Sequence, residues 1–267
     1  MHPMLNIAVR AARAAGKVIM KSVAQQEKLT IEGKGQNDFV TNVDRASEAV
    51  IIETIRKSYP NHSILAEESG EIIGSDSDYL WVIDPIDGTT NFMRGIPHFC
   101  ISIALVVKGQ AQQAVVFDPV RDELFTATRG GGAQLNGYRI RTTKVKSLED
   151  TILATGFPFK MKHIMPEYQA VFAKFFEQAG DVRRMGSAAL DLAYVAAGRY
   201  DGYWEAGLKF WDLAAGDLLV REAGGLVTDF AGGMNHHASG NIVAASPKAL
   251  QAMVTQMRPL LPKALLK

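Results

Sequence analysis

The stretch Trp81-Val82-Ile83-Asp84-Pro85-Ile86-Asp87-Gly88-Thr89-Thr90-Asn91-Phe92 constrains this chain more than any other. Three apolar residues run directly into an acid, the pattern of a buried strand delivering a carboxylate to its exposed end. Pro85 has no amide proton, so strand pairing is expected to stop there, and Gly88 lets the backbone turn tightly. Two carboxylates, Asp84 and Asp87, on one turn are suited to a hard cation. Mg²⁺ takes oxygen ligands, often one or two carboxylates plus substrate phosphate. The N–H groups of Gly88, Thr89 and Thr90 then lie where a helical turn begins, a seat for an anion. The alternative is a plain turn, since Asp-Pro and Asp-Gly are turn dipeptides and Thr-Thr-Asn is ordinary loop composition.

Other acids stand at comparable places. Ser63-Ile64-Leu65-Ala66 reads as a short strand leading into Glu67 and Glu68; Glu67, at the strand end, is the expected ligand, and Glu68 belongs to a solvated loop. Tyr200 to Glu205 is again a strand ending in an acid, with a surface carboxylate as the alternative. Trp211-Asp212 opens a helix over Leu213 to Ala223 that Gly224-Gly225 closes; Asp212 is either a site residue or its N-cap. Asp44 lies in the first turn of a helix carrying Ala46, Ala49, Val50, Ile52 and Ile55 and ending near Pro60. A carboxylate there is also what a helix dipole alone would favour. Strand-end carboxylates are a ligand set for Mg²⁺ and not for zinc. His236 and His237 are adjacent, are expected to point apart, and give no i,i+4 pair, so the histidines predict no metal site. There is no G-x-S-x-G nucleophile motif. Gly130-Gly131-Gly132 lacks the Lys-Ser/Thr of a phosphate loop and reads as a structural turn.

Around these motifs, residues 4–23 repeat apolar side chains at helical spacing, and Gly33 to Asp38 is a loop by composition. Residues 71–78 read as polar loop. Residues 99–107 and 111–117 form a hairpin across Lys108-Gly109-Gln110, and Glu123 to Thr128 is a further strand. In the second half come a strand at Thr151 to Phe157, a helix at Met165 to Ala179, and a helix started by Ser187 as its cap and ended by Gly198. A strand at 242–245 and a helix at 247–257 follow. The expected division is an N-terminal half, 1–145, and a C-terminal half, 146–267, with the site between them. With 267 residues and a net charge of +1, no strong field argues for nucleic acid or an anionic membrane. Arg139, Arg141, Lys144 and Lys146 read as a solvated basic face. The single cysteine, Cys100, allows no intrachain disulfide and reads as a small buried strand residue. No signal peptide and no membrane-spanning run is evident, so a cytoplasmic protein is expected.

Asp84-Pro85-Ile86-Asp87-Gly88-Thr89-Thr90-Asn91 resembles the first signature of the inositol monophosphatase family, and Trp211-Asp212-Leu213-Ala214-Ala215-Gly216, running on to Glu222-Ala223-Gly224-Gly225, resembles its second. Glu67-Glu68-Ser69 and Gly186-Ser187-Ala188-Ala189 fit as well, in family order over nearly the whole chain. The resemblance implies an α+β, layered αβαβα sugar-phosphatase fold and a homodimer; Arg183-Arg184, just before the Gly186 turn, is expected near that interface and is, with the basic run 139–146, a macromolecular handle. It implies Mg²⁺, two or three ions per subunit: Glu67, Asp84 and the Ile86 carbonyl at a first, Asp84, Asp87 and Asp212 at a second, and a weaker third near Glu67. Gly88 and Thr89 would bind phosphate, Ala188 and Glu205 would meet an inositol ring, and Asp44 with Thr89 would take the proton of an attacking water. The implied reaction is metal-assisted hydrolysis of a small phosphate monoester, myo-inositol monophosphate first, with lithium inhibition. Nucleotide 3′-phosphates and fructose bisphosphate are alternatives on the same metal core. Glu205 favours a neutral polyol, because a carboxylate accepts hydroxyl hydrogen bonds and repels further phosphates. Bacterial members are also associated with ribosomal RNA transcription antitermination through NusA and RNA polymerase, which makes that complex a second expected partner.

Overall fold

The computed structural model describes residues 2–23, 29–35 and 38–266. The chain opens with α1 (Pro3–Val23), a hairpin of β1 (Ile31–Gly35) and β2 (Asp38–Thr41), and α2 (Asn42–Ser58). Then come β3 (His62–Ala66), β4 (Gly70–Ile72), β5 (Asp76–Asp87), α3 (Thr89–Met93), β6 (Cys100–Val107), β7 (Gln110–Asp118), β8 (Glu123–Thr128), β9 (Gly132–Leu135) and β10 (Tyr138–Arg139). The second half holds β11 (Ile152–Thr155), α4 (Met165–Phe176), β12 (Asp181–Arg183), α5 (Ala188–Ala196), β13 (Gly202–Glu205) and α6 (Phe210–Glu222). It ends with β14 (Leu226–Thr228), α7 (His236–Ser239), β15 (Ile242–Ala245) and α8 (Pro247–Met257).

Two sheets carry the fold. The larger runs β10-β9-β8-β7-β6-β5-β3-β4, antiparallel except for the β3–β5 pair. The smaller runs β12-β11-β13-β15-β14, with β11 parallel to both neighbours. Alternating side chains of a strand point to opposite faces, so each sheet needs cover on both sides. Along β5, Trp81 and Ile83 pack with Ala8, Ala12 and Ile19 of α1 and Ile51 and Ile55 of α2. Val82, between them, faces the other way, into a core shared with α5 and α6. That core reaches through to Tyr203, Val227, Ile242 and Ala244 of the smaller sheet. The far face of the smaller sheet, Leu153, Trp204, Val243 and Ala245, packs on Tyr168 and Phe175 of α4 and on Met253 of α8. The order is therefore helix pair, sheet, helix pair, sheet, helix pair: the expected α+β, αβαβα layering. Helix α5 lies in the middle layer and is buried at every residue, which explains a sequence without a polar face. Gly216 lets α6 approach it, since a Cβ there would sit 2.5 Å from Leu192.

Some local expectations need correction. Pairing does not stop at Pro85; β5 continues to Asp87, with Asp84 opposite Ser102 and Asp87 opposite Cys100. Two residues on β5 thus face one on β6, a bulge that accommodates the missing proline N–H and turns Asp84 and Asp87 toward one place. Residues 71–78 are not all loop, because β4 and the start of β5 pair there with β3. Residues 33–35 and 38 are hairpin strand, while Gln36 and Asn37 lie outside the described residues. The β6–β7 hairpin is as expected, with Lys108 and Gly109 both at positive φ. The triple glycine is structural: Gly130 and Gly132 N–H groups each donate to the Glu222 carboxylate at 2.8 Å. Among the described residues no helix is long and apolar enough to cross a membrane.

Candidate active site

The bulge in β5, the end of β3 and the start of α6 meet at the seam between the larger sheet and the middle helices. Carboxylate oxygens of Asp84, Asp87 and Asp212 lie within 4.8 Å of one another. Asp84 is buried and its Oδ1 accepts the Ile86 N–H at 3.0 Å, which sets the tight turn. Glu67 follows β3 directly, and its N–H donates to the Ile83 carbonyl of β5 at 3.1 Å. Burial, followed by the charges of Glu67, Asp87 and Asp212, pushes the Asp84 carboxyl well above the ordinary range. Burial raises Asp212 to about 8, with Asp87 and Glu67 adding to the effect and the Lys209 N–H offsetting it. Asp87 rises to about 6 for the same first reason, held back by hydrogen bonds from Ala189 and Ser187. Like charges this close cannot all ionise without a cation among them.

Asp212 is not the N-cap of α6. The helix starts at Phe210, and Asp212, at its third position, accepts the Lys209 N–H at 2.7 Å. That bond fixes the orientation of the Asp212 carboxylate beside Asp84 and Asp87. Asp87 is held similarly: its Oδ2 accepts the Ser187 hydroxyl at 2.8 Å and the Ala189 N–H at 2.6 Å. Ser187 occupies the N-cap position of α5, but its side chain does not cap that helix. The carboxylate of Asp87, a hundred positions earlier, supplies the acceptor there.

Gly88 precedes α3 with φ of 99°, in the left-handed region. A Cβ there would also crowd the His98 carbonyl at 3.1 Å and the Gly186 carbonyl at 3.3 Å. Asn91 Nδ2 ties this turn down, donating to the carbonyls of His98 at 2.7 Å and Met185 at 2.8 Å. The Thr89 hydroxyl has two acceptors within reach, Asp44 Oδ1 at 3.1 Å and the Ile86 carbonyl at 3.0 Å. One proton cannot serve both at once. Asp44 is fully buried, and its Oδ2 accepts the Thr41 N–H at 2.8 Å and hydroxyl at 2.5 Å in a capping box. Burial raises its carboxyl, and the Thr41 and Thr89 hydrogen bonds work against that.

Glu205 ends β13 and is not a surface acid. It accepts the Tyr203 hydroxyl, and burial lifts its carboxyl to about 8. With Asp212 it lines a small cavity bounded by Phe157, Lys160, Met161 and Lys209. Gly156 makes room for it, since a Cβ there would fall 2.1 Å from the Glu205 carboxylate. Ala188, the first residue of α5, is buried beside the Ser187–Asp87 bond. Ser47, Glu48, Asn91, Gly156 and Tyr203 are positioning residues beyond those expected from the sequence. Ser47 donates to the Pro85 carbonyl at 3.0 Å, and Glu48 accepts the N–H groups of Glu68 at 2.8 Å and Ser69 at 2.9 Å. Asp44, Ser47, Glu48, Ile51 and Ile55 share the buried face of α2. Polar residues in the apolar register of a helix were the available signal.

The Inositol monophosphatase family model matches residues 1–261. Nus factor SuhB of Escherichia coli is 61% identical over 258 residues, covering 97% of each chain. A crystal structure of the extragenic suppressor protein SuhB of Bartonella henselae is 42% identical, with a TM-score of 0.94 over 96% of this chain and 99% of that one. The structure of inositol monophosphatase from Anabaena is 41% identical, with a TM-score of 0.86 over 97% of this chain and 96% of that one. From a family model that spans almost the entire chain and relatives this similar along their full length, it follows that the chain belongs to the inositol monophosphatase family, a family of phosphatases.

Proposed function

We propose that this chain hydrolyses myo-inositol monophosphate to myo-inositol and phosphate in a Mg²⁺-dependent reaction. The observation that carries the reading is the convergence of Asp84, Asp87 and Asp212, with Glu67 close enough to perturb two of them. This donor set fits a hard divalent cation: it is all oxygen, and its members raise one another's pKa, a repulsion that a cation removes. Glu67, Asp84 and the Ile86 carbonyl would hold one ion and Asp84, Asp87 and Asp212 another, with a third near Glu67. Such ions, when bound, neutralise phosphoryl charge and make a water more acidic.

The protein's own groups do the positioning. The Gly88 and Thr89 N–H groups face the anion at the start of α3. The Thr89 hydroxyl donates a hydrogen bond to Asp44, leaving its oxygen to accept one from the attacking water. As the water oxygen bonds to phosphorus and the P–O bond to inositol breaks, the water's proton is drawn toward the Thr89–Asp44 pair and the leaving alkoxide takes a proton from solvent. Ala188 and Glu205 orient the ring, Glu205 through hydrogen bonds to its hydroxyls. Release of phosphate from a panel of monoesters, with and without Mg²⁺, tests the reading. Full turnover after chelation, or preference for a nucleotide 3′-phosphate or fructose bisphosphate, would count against it. Lithium inhibition and a homodimer belong to the same proposal.

A second reading is supported by the name Nus factor carried by the relatives in Escherichia coli and Vibrio cholerae. In it the chain also acts in ribosomal RNA transcription antitermination with NusA and RNA polymerase, in the cytoplasm. Arg139, Arg141, Lys144 and Lys146 are exposed and available to a macromolecular partner. If an Asp87→Asn protein with no phosphatase activity still supports antitermination, the two roles are separable.

A further inference from the structure

His236 and His237 do not diverge as their adjacency predicts. The two rings meet at 61°, with centroids 4.3 Å apart, and both Nε2 atoms turn to the same carboxylate oxygen of Asp217. His236 Nε2 lies 3.2 Å from Oδ2 and His237 Nε2 3.0 Å from it, and the three candidate ligand atoms lie within 4.8 Å of one another. We propose that Asp217, His236 and His237 form a separate site for a borderline transition-metal ion such as Zn²⁺, distinct from the carboxylate centre.

The distances suit ligands sharing one ion. With Zn–N and Zn–O bonds of about 2.0–2.1 Å, the edge of a tetrahedron is roughly 3.3–3.4 Å, close to the two N–O separations of 3.2 and 3.0 Å. His237 Nε2 is buried, lies 3.0 Å from Oδ2 and makes no well-formed hydrogen bond, although both imidazoles, against the effect of burial, help hold the Asp217 carboxyl below its ordinary range. A cation between the three atoms would use the Nε2 lone pair.

The site is built without help from the ion. Asp229 accepts the N–H groups of Ala231 at 2.9 Å, Gly233 at 2.7 Å and Asn235 at 3.0 Å, fixing the loop that delivers both histidines. Phe210 packs against the His237 ring at 5.0 Å. Arg221 Nε holds the other oxygen of Asp217, Oδ1, at 2.6 Å, leaving Oδ2 to the imidazoles. That guanidinium cancels the only negative charge of the set. Mg²⁺, which relies on anionic oxygens, is thereby disfavoured, and ions whose affinity comes from imidazole nitrogen are favoured. His237 is 37% exposed along its side chain and opens onto a groove of about 310 Å³ lined also by Lys160, Lys209 and Ser239. Lys160 and Lys209 also line the cavity in front of Glu205 and Asp212. An ion here would therefore sit beside an opening that shares Lys160 and Lys209 with the cavity in front of Glu205 and Asp212.

The test is calorimetric titration of the full chain with Zn²⁺ in the presence of saturating Mg²⁺. Wild type should bind one Zn²⁺ per chain. His237→Ala, at a partly exposed position, should weaken it by more than the ~10- to 100-fold typical of losing a mere outer-shell partner. Asp84→Asn, which disables the acidic centre, should retain it. Co²⁺ gives a second readout: one equivalent should produce the intense visible band of a four-coordinate nitrogen-containing site in wild type and Asp84→Asn, and not in His237→Ala. The proposal is overturned if wild type binds no Zn²⁺ above Mg²⁺, if His237→Ala binds it as tightly, or if Asp84→Asn abolishes it.

Discussion

Asp44→Asn is the most informative substitution because Asp44 carries two separable tasks on its two oxygens. Oδ2 receives the Thr41 N–H and hydroxyl, and Oδ1 receives the Thr89 hydroxyl. An asparagine can keep only one edge as an acceptor. With its NH₂ toward Thr41, two donors face each other: the return half of the capping box is lost and a buried N–H is left unmatched at about 1–3 kcal/mol, while the Thr41 hydroxyl still accepts the Val43 and Asp44 N–H groups. With its NH₂ toward Thr89, the cap survives, but the Thr89 proton must turn to the Ile86 carbonyl, 3.0 Å away. The Thr89 oxygen then already accepts from asparagine and is a poor acceptor for water. Either way proton acceptance is lost, a roughly 10²- to 10⁴-fold effect on kcat, or about 3–5 kcal/mol of barrier. Thr41→Val is the control. It removes the cap hydroxyl, at about 0.5–2 kcal/mol of stability, and leaves the Thr89–Asp44 contact. Steady-state kinetics at saturating Mg²⁺ and urea unfolding should give Asp44→Asn a steep fall in kcat and Thr41→Val a loss of stability alone. If Asp44→Asn keeps kcat within about threefold of wild type, the proton-acceptor role is wrong and Asp44 only completes the capping box of α2.

Three further outcomes are expected. Glu205→Ala should lower kcat/KM for inositol phosphate about 10-fold, since each lost hydrogen bond is worth ~1 kcal/mol, and spare a simple aryl phosphate; Gly156→Ala, by displacing the same carboxylate, should copy it, and equal losses on both substrates would assign Glu205 to structure. For pH, Asp87 at about 6 and Asp212 at about 8 stand above their unfolded values, so the metal-free fold is best supported below the unfolded carboxylate pKa and loses that support as pH rises through about 6 and about 8. Mg²⁺ binds the ionised forms, so the rise in Tm on adding it should grow from pH 5 to 9, and a rise that is flat with pH would contradict the coupling. Light scattering should give a homodimer at micromolar concentration, and a monomer throughout would remove that part of the proposal.

Much of this arrangement could be read from local signals. Apolar runs ending in acids located Asp84, Glu67 and Glu205, and Asp212 stood at the right helix, although at its third position and not its cap. Turn chemistry located the β6–β7 hairpin. What escaped depends on partners distant in sequence. Nothing near Ser187 says that its hydroxyl goes to Asp87, and nothing near Gly156 says that Glu205 fills the space beside it. The bulge at Pro85 escaped because proline locally argues for the end of a strand, whereas β6 keeps pairing on its far side. The two adjacent histidines escaped because ideal helix directions separate neighbours, and α7 has only four residues, too short to impose those directions.

The bond from Asp87 to Ser187 and Ala189 means that the start of α5 is completed by a residue of the other sheet. While the chain folds, the first sheet can form with Asp84 and Asp87 in place, yet without α5 and α6 it lacks Asp212 and leaves Asp87 untethered. An ion would find a full set of donors only after the two layers have docked. On the proposed metal chemistry, uptake would report finished assembly and would also secure it: ion at 100 times its Kd would add about 2.7 kcal/mol to the docked state alone. Separately expressed 1–145 and 146–267 segments should fail to retain the ion until mixed.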